Sequence, residues 1–248
     1  MGKVIAIIEA RMTSSRLPGK VLMEAGGKPM LEILLERLRK AGSLDDIVVA
    51  TTVRPSDDPI ASLCSRLQVH CFRGSEENVL ERVCGAAQEF GADTLVEITG
   101  DCPLVDPWQV DHAVAFFQSV YPGSRYVSNC EPLGNAPVGM NVQVFRAEDL
   151  SNVLAGNPDE MDREHVSYHF YRKESGARYL PRYINYDAPL NRPDIWVTLD
   201  YKEDFELIKE LYEACSALSD NFGIREVIEW VDLHPGIHER CKKLRDLE

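Results

Sequence analysis

The 248-residue chain contains no Cys-x-x-Cys pair, no internal repeat and no low-complexity tract. Its longest apolar runs fall far short of the ~20 residues needed to span a bilayer, so no membrane partner is expected. Seven cysteines (Cys64, Cys71, Cys84, Cys102, Cys130, Cys215 and Cys241) form an odd, unpatterned set. That set excludes a disulfide framework and a zinc ribbon and points to reduced thiols. No charged-then-apolar leader opens the sequence, and a cytoplasmic protein is expected. Positive charge is scarce too: 27 Lys and Arg stand against 40 Asp and Glu, a formal net charge of −13. A field of that sign excludes nonspecific nucleic-acid binding, and nucleic acid is not an expected partner.

Because cations are few, the place where they gather carries information. The apolar run at residues 4–8 is followed by Ala10-Arg11-Met12-Thr13-Ser14-Ser15-Arg16-Leu17-Pro18-Gly19-Lys20. A triphosphate crowds several negative charges onto neighbouring oxygens and needs guanidinium forks, an ammonium and donors on a close-approaching turn. Arg11, Arg16 and Lys20 supply the cations, while Ser14, Ser15 and Gly19 supply donors and room. The loop lacks the Gly-x-x-x-x-Gly-Lys-Ser/Thr spacing of a Walker A motif. An ordinary exposed connection between strand and helix is the alternative reading.

Short apolar runs alternate with helical periodicity. Strands are expected at 4–8, 47–52, 69–72 and 94–99, with helices at 30–38, 57–67, 78–90 and 108–117. This pattern implies one α/β domain over 1–248, built on a mainly parallel sheet with helices on both faces. From residue 121 the pattern changes. Residues 122–190 are expected to form a mixed α/β insertion for acceptor binding or dimerisation, with a strand at 142–145, a helix at 163–171 and a strand at 179–184. The apolar run 196–200 is expected to return to the core as a strand, with helix beyond it.

Gly100-Asp101-Cys102-Pro103 follows the strand expected at 94–99, where ligands of open α/β sheets gather. Beside a triphosphate, Asp101 suits a magnesium ligand, since magnesium is held by one or two carboxylates plus phosphate oxygens and water. Asp200 likewise ends an apolar run, and the two ends can converge on one ion. The structural alternative for each is a helix N-cap, with Glu203 completing a capping box for Asp200. Asp106 reads as an N-cap alone.

The run Arg-x-x-Ser-x-Arg-Leu-Pro-Gly-Lys from Arg11 to Lys20 resembles the signature loop of the cytidylyltransferases that activate sugar acids. These are the 3-deoxy-manno-octulosonate and acylneuraminate enzymes and, most closely, the spore-coat polysaccharide biosynthesis F-type branch. Further matches follow in the same order along nearly the whole chain. The resemblance implies a Rossmann-like, nucleotide-diphosphosugar transferase fold with CTP as nucleotide. It implies metal ligation by Asp101 and Asp200, the latter in a Val-Asp-x-x-x-Asp-Leu-like segment where Phe205 replaces leucine. The segment Arg73 to Arg82 is similar to that branch's nucleotide edge, where Ser75 and Thr99 are expected to read cytosine; Ser75 as a helix cap is the alternative. Arg163-Glu164-His165-Val166 and Arg192-Pro193-Asp194 resemble its acceptor segments, so Arg163, His165 and Arg192 are expected to bind an acidic acceptor. Where the branch often shows Gly-x-Asp-Val-Glu-Val-Phe, this chain has Asn141 and Gln143, which removes two charges from the expected acceptor site.

The expected activity is magnesium-dependent transfer of CMP from CTP to a sugar acid or similar acceptor, with Arg11, Arg16, Lys20 and Asp101 as the catalytic set, pyrophosphate as the leaving group and cell-surface glycan biosynthesis as the setting. The aromatic-rich insertion makes a homodimer the expected assembly. Two other readings remain open: a nucleotide-sugar glycosyltransferase, although Asp101-Cys102-Pro103 lacks the second aspartate of an Asp-x-Asp motif, and a nucleotide-binding scaffold without catalysis.

Overall fold

A strand that is apolar on both faces must be covered on both, and the first strand, Val-Ile-Ala-Ile-Ile-Glu, is apolar until its last residue. The computed structural model describes residues 2–130, 134–236, 238 and 239. In chain order the elements are β1 (Val4–Glu9), a two-stranded ribbon of β2 (Glu24–Ala25) and β3 (Lys28–Pro29), α1 (Met30–Leu38), β4 (Asp46–Thr52), α2 (Asp58–Leu67), β5 (His70–Gly74), α3 (Val79–Phe90), β6 (Thr94–Thr99) and α4 (Pro107–Val120). There follow β7 (Tyr126–Ser128), β8 (Gln143–Arg146), α5 (Ala147–Ala155), α6 (Glu160–Glu164), α7 (Tyr168–Tyr171), α8 (Gly176–Tyr179), β9 (Arg182–Tyr183), α9 (Lys202–Leu218) and α10 (Ile224–Leu233).

Seven strands form one sheet in the order β5-β4-β1-β6-β8-β7-β9. It is mostly parallel, with β8 running against both of its neighbours. Alternate residues along the central strands feed two cores. Ala6, Ile8, Val49 and Ile98 pack under α1, α2, α4, α9 and α10. Ile5, Ile7, Val48 and Leu95 pack under α3, α5 and the short helices α7 and α8. Ile5, Ile7 and Ile8 are fully buried, and truncating any of them to alanine costs about 2–5 kcal/mol. From β1 the chain winds outward through β4 to β5, then returns to lay β6 on the other side of β1. The order therefore reverses between β1 and β6, and a crevice opens at their C-terminal ends.

Three expected elements differ from the structure. The helix over 163–171 is two short helices, α6 and α7, because His165 leaves helical geometry at φ −110°, ψ 89°. The strand over 179–184 shrinks to β9, because Leu180 takes a left-handed conformation at φ 49° directly after α8. The run 196–200 is extended and buried but is no sheet strand. It makes one isolated bridge, Val138 to Trp196, and bonds to the loops carrying Val138 and Asp101 and to the side chains of His238 and Asp204. Ahead of α1 the ribbon β2–β3 turns through Gly26 and Gly27, both at positive φ. Segment 122–190 adds β7, β8 and β9 to the main sheet; its residues 131–133 lie outside the described residues, as does Cys241. The six cysteines that are described are all free thiols. No helix among the described residues is long and apolar enough to cross a membrane.

Candidate active site

The loop after β1 is folded onto itself and pinned from outside. Gly19, at φ 74°, donates its N–H to the Met12 carbonyl at 2.9 Å, and the Lys20 N–H bonds the Leu17 carbonyl at 3.2 Å. Fully buried Asp57, just before α2, accepts the Met12 N–H at 2.8 Å and a hydroxyl hydrogen bond from Thr52. Thr13 donates to the Glu76 carboxylate at 2.6 Å, and Arg11 Nη1 donates to the Glu76 carbonyl at 3.3 Å. Asp57 and Glu76 thus hold the loop to β4 and to the approach of α3. Nothing local in their sequence announced this, since each acts across a fold-level distance.

The cations of the loop meet the two expected metal-ligating carboxylates. Lys20 Nζ lies 3.0 Å from both Asp101 Oδ2 and Asp200 Oδ1, and Arg16 Nη2 lies 2.9 Å from Asp200 Oδ1. The Arg16 guanidinium also sits 5.5 Å from the centre of the Tyr201 ring. Burial pushes the Lys20 ammonium toward losing its proton, but Asp101 and Asp200 outweigh it and its pKa is raised. Burial pushes the Asp101 carboxyl up, yet the Lys20 charge and hydrogen bonds from Thr99 and Lys20 bring it below the usual carboxylate value. Lys20 and Asp101 are therefore both charged at neutral pH, and the carboxylates of Asp101 and Asp200 share one cation position.

Backbone contacts bring Asp101 and Asp200 together from 99 residues apart. The Leu199 N–H bonds the Asp101 carbonyl at 2.8 Å. Asp204 accepts the N–H groups of Asp200 and Tyr201 at 3.0 and 2.9 Å. The cap of α9 is consequently Tyr201 with Asp204, rather than Asp200 with Glu203, which leaves the Asp200 carboxylate turned to Lys20. Gly100 permits the crossing on the other side: a Cβ there would stand 2.6 Å from the Glu9 carbonyl oxygen. Asp106 is the cap of α4, accepting the Trp108 N–H at 2.9 Å.

A cavity of about 290 Å³ lies over this crevice. Ala10, Arg11, Ser14, Ser15, Arg16, Lys20, Thr99 and Asp101 line it, together with Glu9, Val79, Arg82, Glu164 and His165. Asp200 stands behind Lys20 and Arg16. Ser75 is not among the lining residues; its hydroxyl accepts the Asn78 N–H at 3.0 Å, next to the true cap of α3, Asn78. Exposed Arg163 lies on α6 one residue from the lining pair, and Asn141 is half-buried in the loop before β8. Gln143 Oε1 is engaged by the hydroxyls of Tyr126 and Ser167. Arg192 is held elsewhere, bonded to Asp194 at 2.8 and 2.9 Å and to Asp232 of α10 at 2.7 and 2.9 Å. The structure thus gathers the loop residues, Thr99, Asp101, Asp200 and His165, and leaves Ser75 and Arg192 outside that group.

Sequence reasoning passed over Glu9 and Glu97, and took Arg82 only as the end of the segment similar to the nucleotide edge. Glu9 and Glu97 occupy diagonal positions on one face of the paired strands β1 and β6, and Glu9 Oε1 and Glu97 Oε2 are buried without a hydrogen-bond partner among the described residues. Burial and the Glu97 charge push Glu9 well above the usual carboxylate value; burial pushes Glu97 up to about 7. Buried Arg82 donates Nε to the Ala50 carbonyl at 3.2 Å and Nη1 to the Ser75 carbonyl. The available signal was a single acid set in each of two apolar strands, Val-Ile-Ala-Ile-Ile-Glu and Thr-Leu-Val-Glu-Ile-Thr.

Comparison with known proteins gives the family. A family model described as cytidylyltransferase matches residues 5–224. The chain is 36% identical to an uncharacterised protein of Methanocaldococcus jannaschii, covering 99% of each chain. It is 33% identical to the spore coat polysaccharide biosynthesis protein SpsF of Bacillus subtilis, covering 95% of this chain and 96% of that one. A cytidylyltransferase from Leptospira borgpetersenii superposes with a TM-score of 0.86 at 29% identity, covering 95% and 96% of the two chains. The chain belongs to the cytidylyltransferase family and is a CTP-dependent nucleotidyltransferase.

Proposed function

We propose that the protein transfers CMP from CTP to a small acidic acceptor and releases pyrophosphate, with magnesium as cofactor, as a cytoplasmic homodimer in cell-surface glycan biosynthesis. The observation that carries this reading is the convergence of Arg16, Lys20, Asp101 and Asp200 at the point where the strand order reverses. The family and the spore-coat relative support the nucleotide and the pathway class.

The residues fit a hard divalent ion. Two carboxylates already converge on one positive charge, that of Lys20. Among the described residues no group of three or more His, Cys, Asp or Glu could hold a metal by itself. Two protein carboxylates, with phosphate and water completing the shell, is how magnesium is usually held. Asp101 and Asp200 would hold it, and when bound it neutralises phosphate charge and polarises the phosphoryl oxygens.

The chain's own groups do the rest. Arg11, Arg16 and Lys20 bind the triphosphate through charge-assisted hydrogen bonds from a loop that Asp57 and Glu76 hold in place, so little reorganisation accompanies binding. The acceptor oxygen attacks the α-phosphorus in line, and positive charge on Arg16 and Lys20 stabilises the departing pyrophosphate. His165, with Arg163 beside it, borders the open side where an acidic acceptor enters. Phosphoryl transfer of this kind needs positioning and charge more than a protein nucleophile. The test is Asp101→Asn: turnover of CTP with an acceptor at saturating magnesium is expected to fall by ~10²-fold or more, and unchanged turnover would sink the assignment.

A further inference from the structure

A second cavity, of about 550 Å³, lies away from the nucleotide crevice, among the β2–β3 ribbon, the end of α1, α9 and the loop that follows α9. Its volume is in the range of small-molecule sites. Lys28, Arg37, Arg39 and Lys40 line it against two carboxylates, Glu36 and Asp220, an excess of two positive charges in a chain whose net charge is −13. One of those acids is already engaged, since Glu36 takes the Lys28 ammonium at 2.7 and 2.8 Å.

The other three cations meet backbone carbonyls instead of acids. Arg37 is 4% exposed; its Nε donates to the Val105 carbonyl and its Nη2 to those of Leu104 and Phe222, while Nη1 takes part in none of these bonds. Its guanidinium lies 4.1 Å from the centre of the Phe222 ring. Asp106 and Glu226, whose charges act on Arg37, are occupied by backbone: Asp106 accepts the Trp108 and Ile224 N–H groups at 2.9 and 2.7 Å, and Glu226 that of Gly223 at 2.7 Å. Arg39 donates to the Leu67 carbonyl and Lys40 to the Asp220 carbonyl. Cations at a helix C-terminus ordinarily serve that helix's own last carbonyls. Here the carbonyls of Leu35, Arg37 and Leu38 already accept the N–H groups of Arg39, Lys40 and Ala41, and the side chains reach to other segments.

A buried guanidinium without a counter-charge is costly, and an anion in the cavity supplies one. Two excess charges call for a dianion. The lining groups that can donate come from three segments: Lys28 from the ribbon, Arg37, Arg39 and Lys40 from the end of α1, and the hydroxyl-bearing Tyr212 and Ser216 from α9. Donors spread in this way suit the three free oxygens of a phosphate monoester better than the single plane of a carboxylate. We propose that this cavity is a second ligand site, separate from the nucleotide crevice, and that it takes a small phosphate monoester between Arg37, Arg39 and Lys40. The proposal stands apart from the reaction proposed for the crevice.

The test titrates inorganic phosphate into isotope-labelled protein, without nucleotide or magnesium, and follows the backbone N–H resonances residue by residue. Saturable shifts are expected at Ser216 and from Asp220 to Gly223, separable from any response of the loop from Arg11 to Lys20. Arg39→Gln combined with Lys40→Gln, two exposed positions outside the catalytic set, should weaken phosphate binding at the first group about tenfold or more. The same double variant should leave the affinity reported by the loop within about twofold. Arg37 stays in place because its three carbonyl bonds support the fold, and a melt of the double variant establishes that it is folded. Succinate, a dianion with planar ends, should bind more weakly than phosphate. Shifts confined to the loop, an unchanged affinity in the double variant, or tighter binding of succinate would each overturn the proposal.

Discussion

Replacing Lys20 by methionine isolates the electrostatics of the site. The ammonium is mostly buried and lies 3.0 Å from a carboxylate on each side. Its removal leaves Asp101 and Asp200 facing one another, with Arg16 still bonded to Asp200 and nothing replacing the bond to Asp101. Removing one partner of a buried pair costs about 3–5 kcal/mol. Because the Asp101 side chain keeps 26% of its exposure and Arg16 remains, about 2–3 kcal/mol is expected here. For a chain of this size that corresponds to a fall in Tm of about 5–10 °C. Lys20→Met should also create a response to divalent ions that the unaltered free protein lacks, because two carboxylates sharing a cation position are left without their cation. Thermal melts in chelator and across a magnesium titration, both without nucleotide, read the two effects. A variant as stable as the parent and indifferent to magnesium would refute the argument that the carboxylates converge on a common charge.

The remaining predictions concern groups around the site. Glu97 has a folded pKa near 7 against an ordinary 4.5, so the folded state holds an extra proton between those values. Stability should therefore decline as pH rises through that window, by about 3 kcal/mol in all, and Glu97→Gln should flatten the decline in urea unfolding at pH 5, 6 and 7. Asp101 has the opposite sign: its lowered pKa contributes stability above the unfolded carboxylate value that is lost as pH falls through the folded one, so Asp101→Asn should lessen acid destabilisation. Arg37 is buried, with a pKa lowered to about 10 by burial, and donates to the Leu104, Val105 and Phe222 carbonyls. Arg37→Met should cost about 2–4 kcal/mol in urea unfolding by leaving those carbonyls unpaired, while CTP selectivity in the folded fraction stays unchanged.

Local periodicity was sufficient where one face of an element decides its burial. The helix at 30–38 and the strand at 94–99 coincide with α1 and β6, whose apolar positions pack on the central strands. It failed where a backbone choice depends on distant partners. Leu180 adopts φ 49°, so α8 and β9 occupy a stretch whose aromatics suggest a strand. Trp196 to Asp200 are apolar enough for a strand, yet they bond to the loops of Val138 and Asp101 and to the side chains of His238 and Asp204. The phosphate loop was legible because its chemistry is contiguous: cations, hydroxyls and a glycine within eleven residues. The juxtaposition of Glu9 and Glu97 was not, because the two acids are far apart in sequence and come together only through the parallel pairing of β1 with β6.

The site also explains how an acidic chain can hold a polyanion. Its loop cations do not stand free in the structure: Arg16 and Lys20 are neutralised by Asp101 and Asp200 before any ligand arrives. A triphosphate entering alone would have to pull both cations away from Asp101 and Asp200, an exchange in which the desolvation cost of those two side chains is left uncompensated. A triphosphate entering with its own divalent counter-ion brings positive charge for the carboxylates and negative charge for the cations, so every buried charge changes partner and none loses one. The free-state ion pairs therefore predict that CTP and magnesium stabilise the protein cooperatively, each strengthening the other's binding by the same factor. Additive shifts in Tm when CTP and magnesium are titrated separately and together would contradict this exchange of partners.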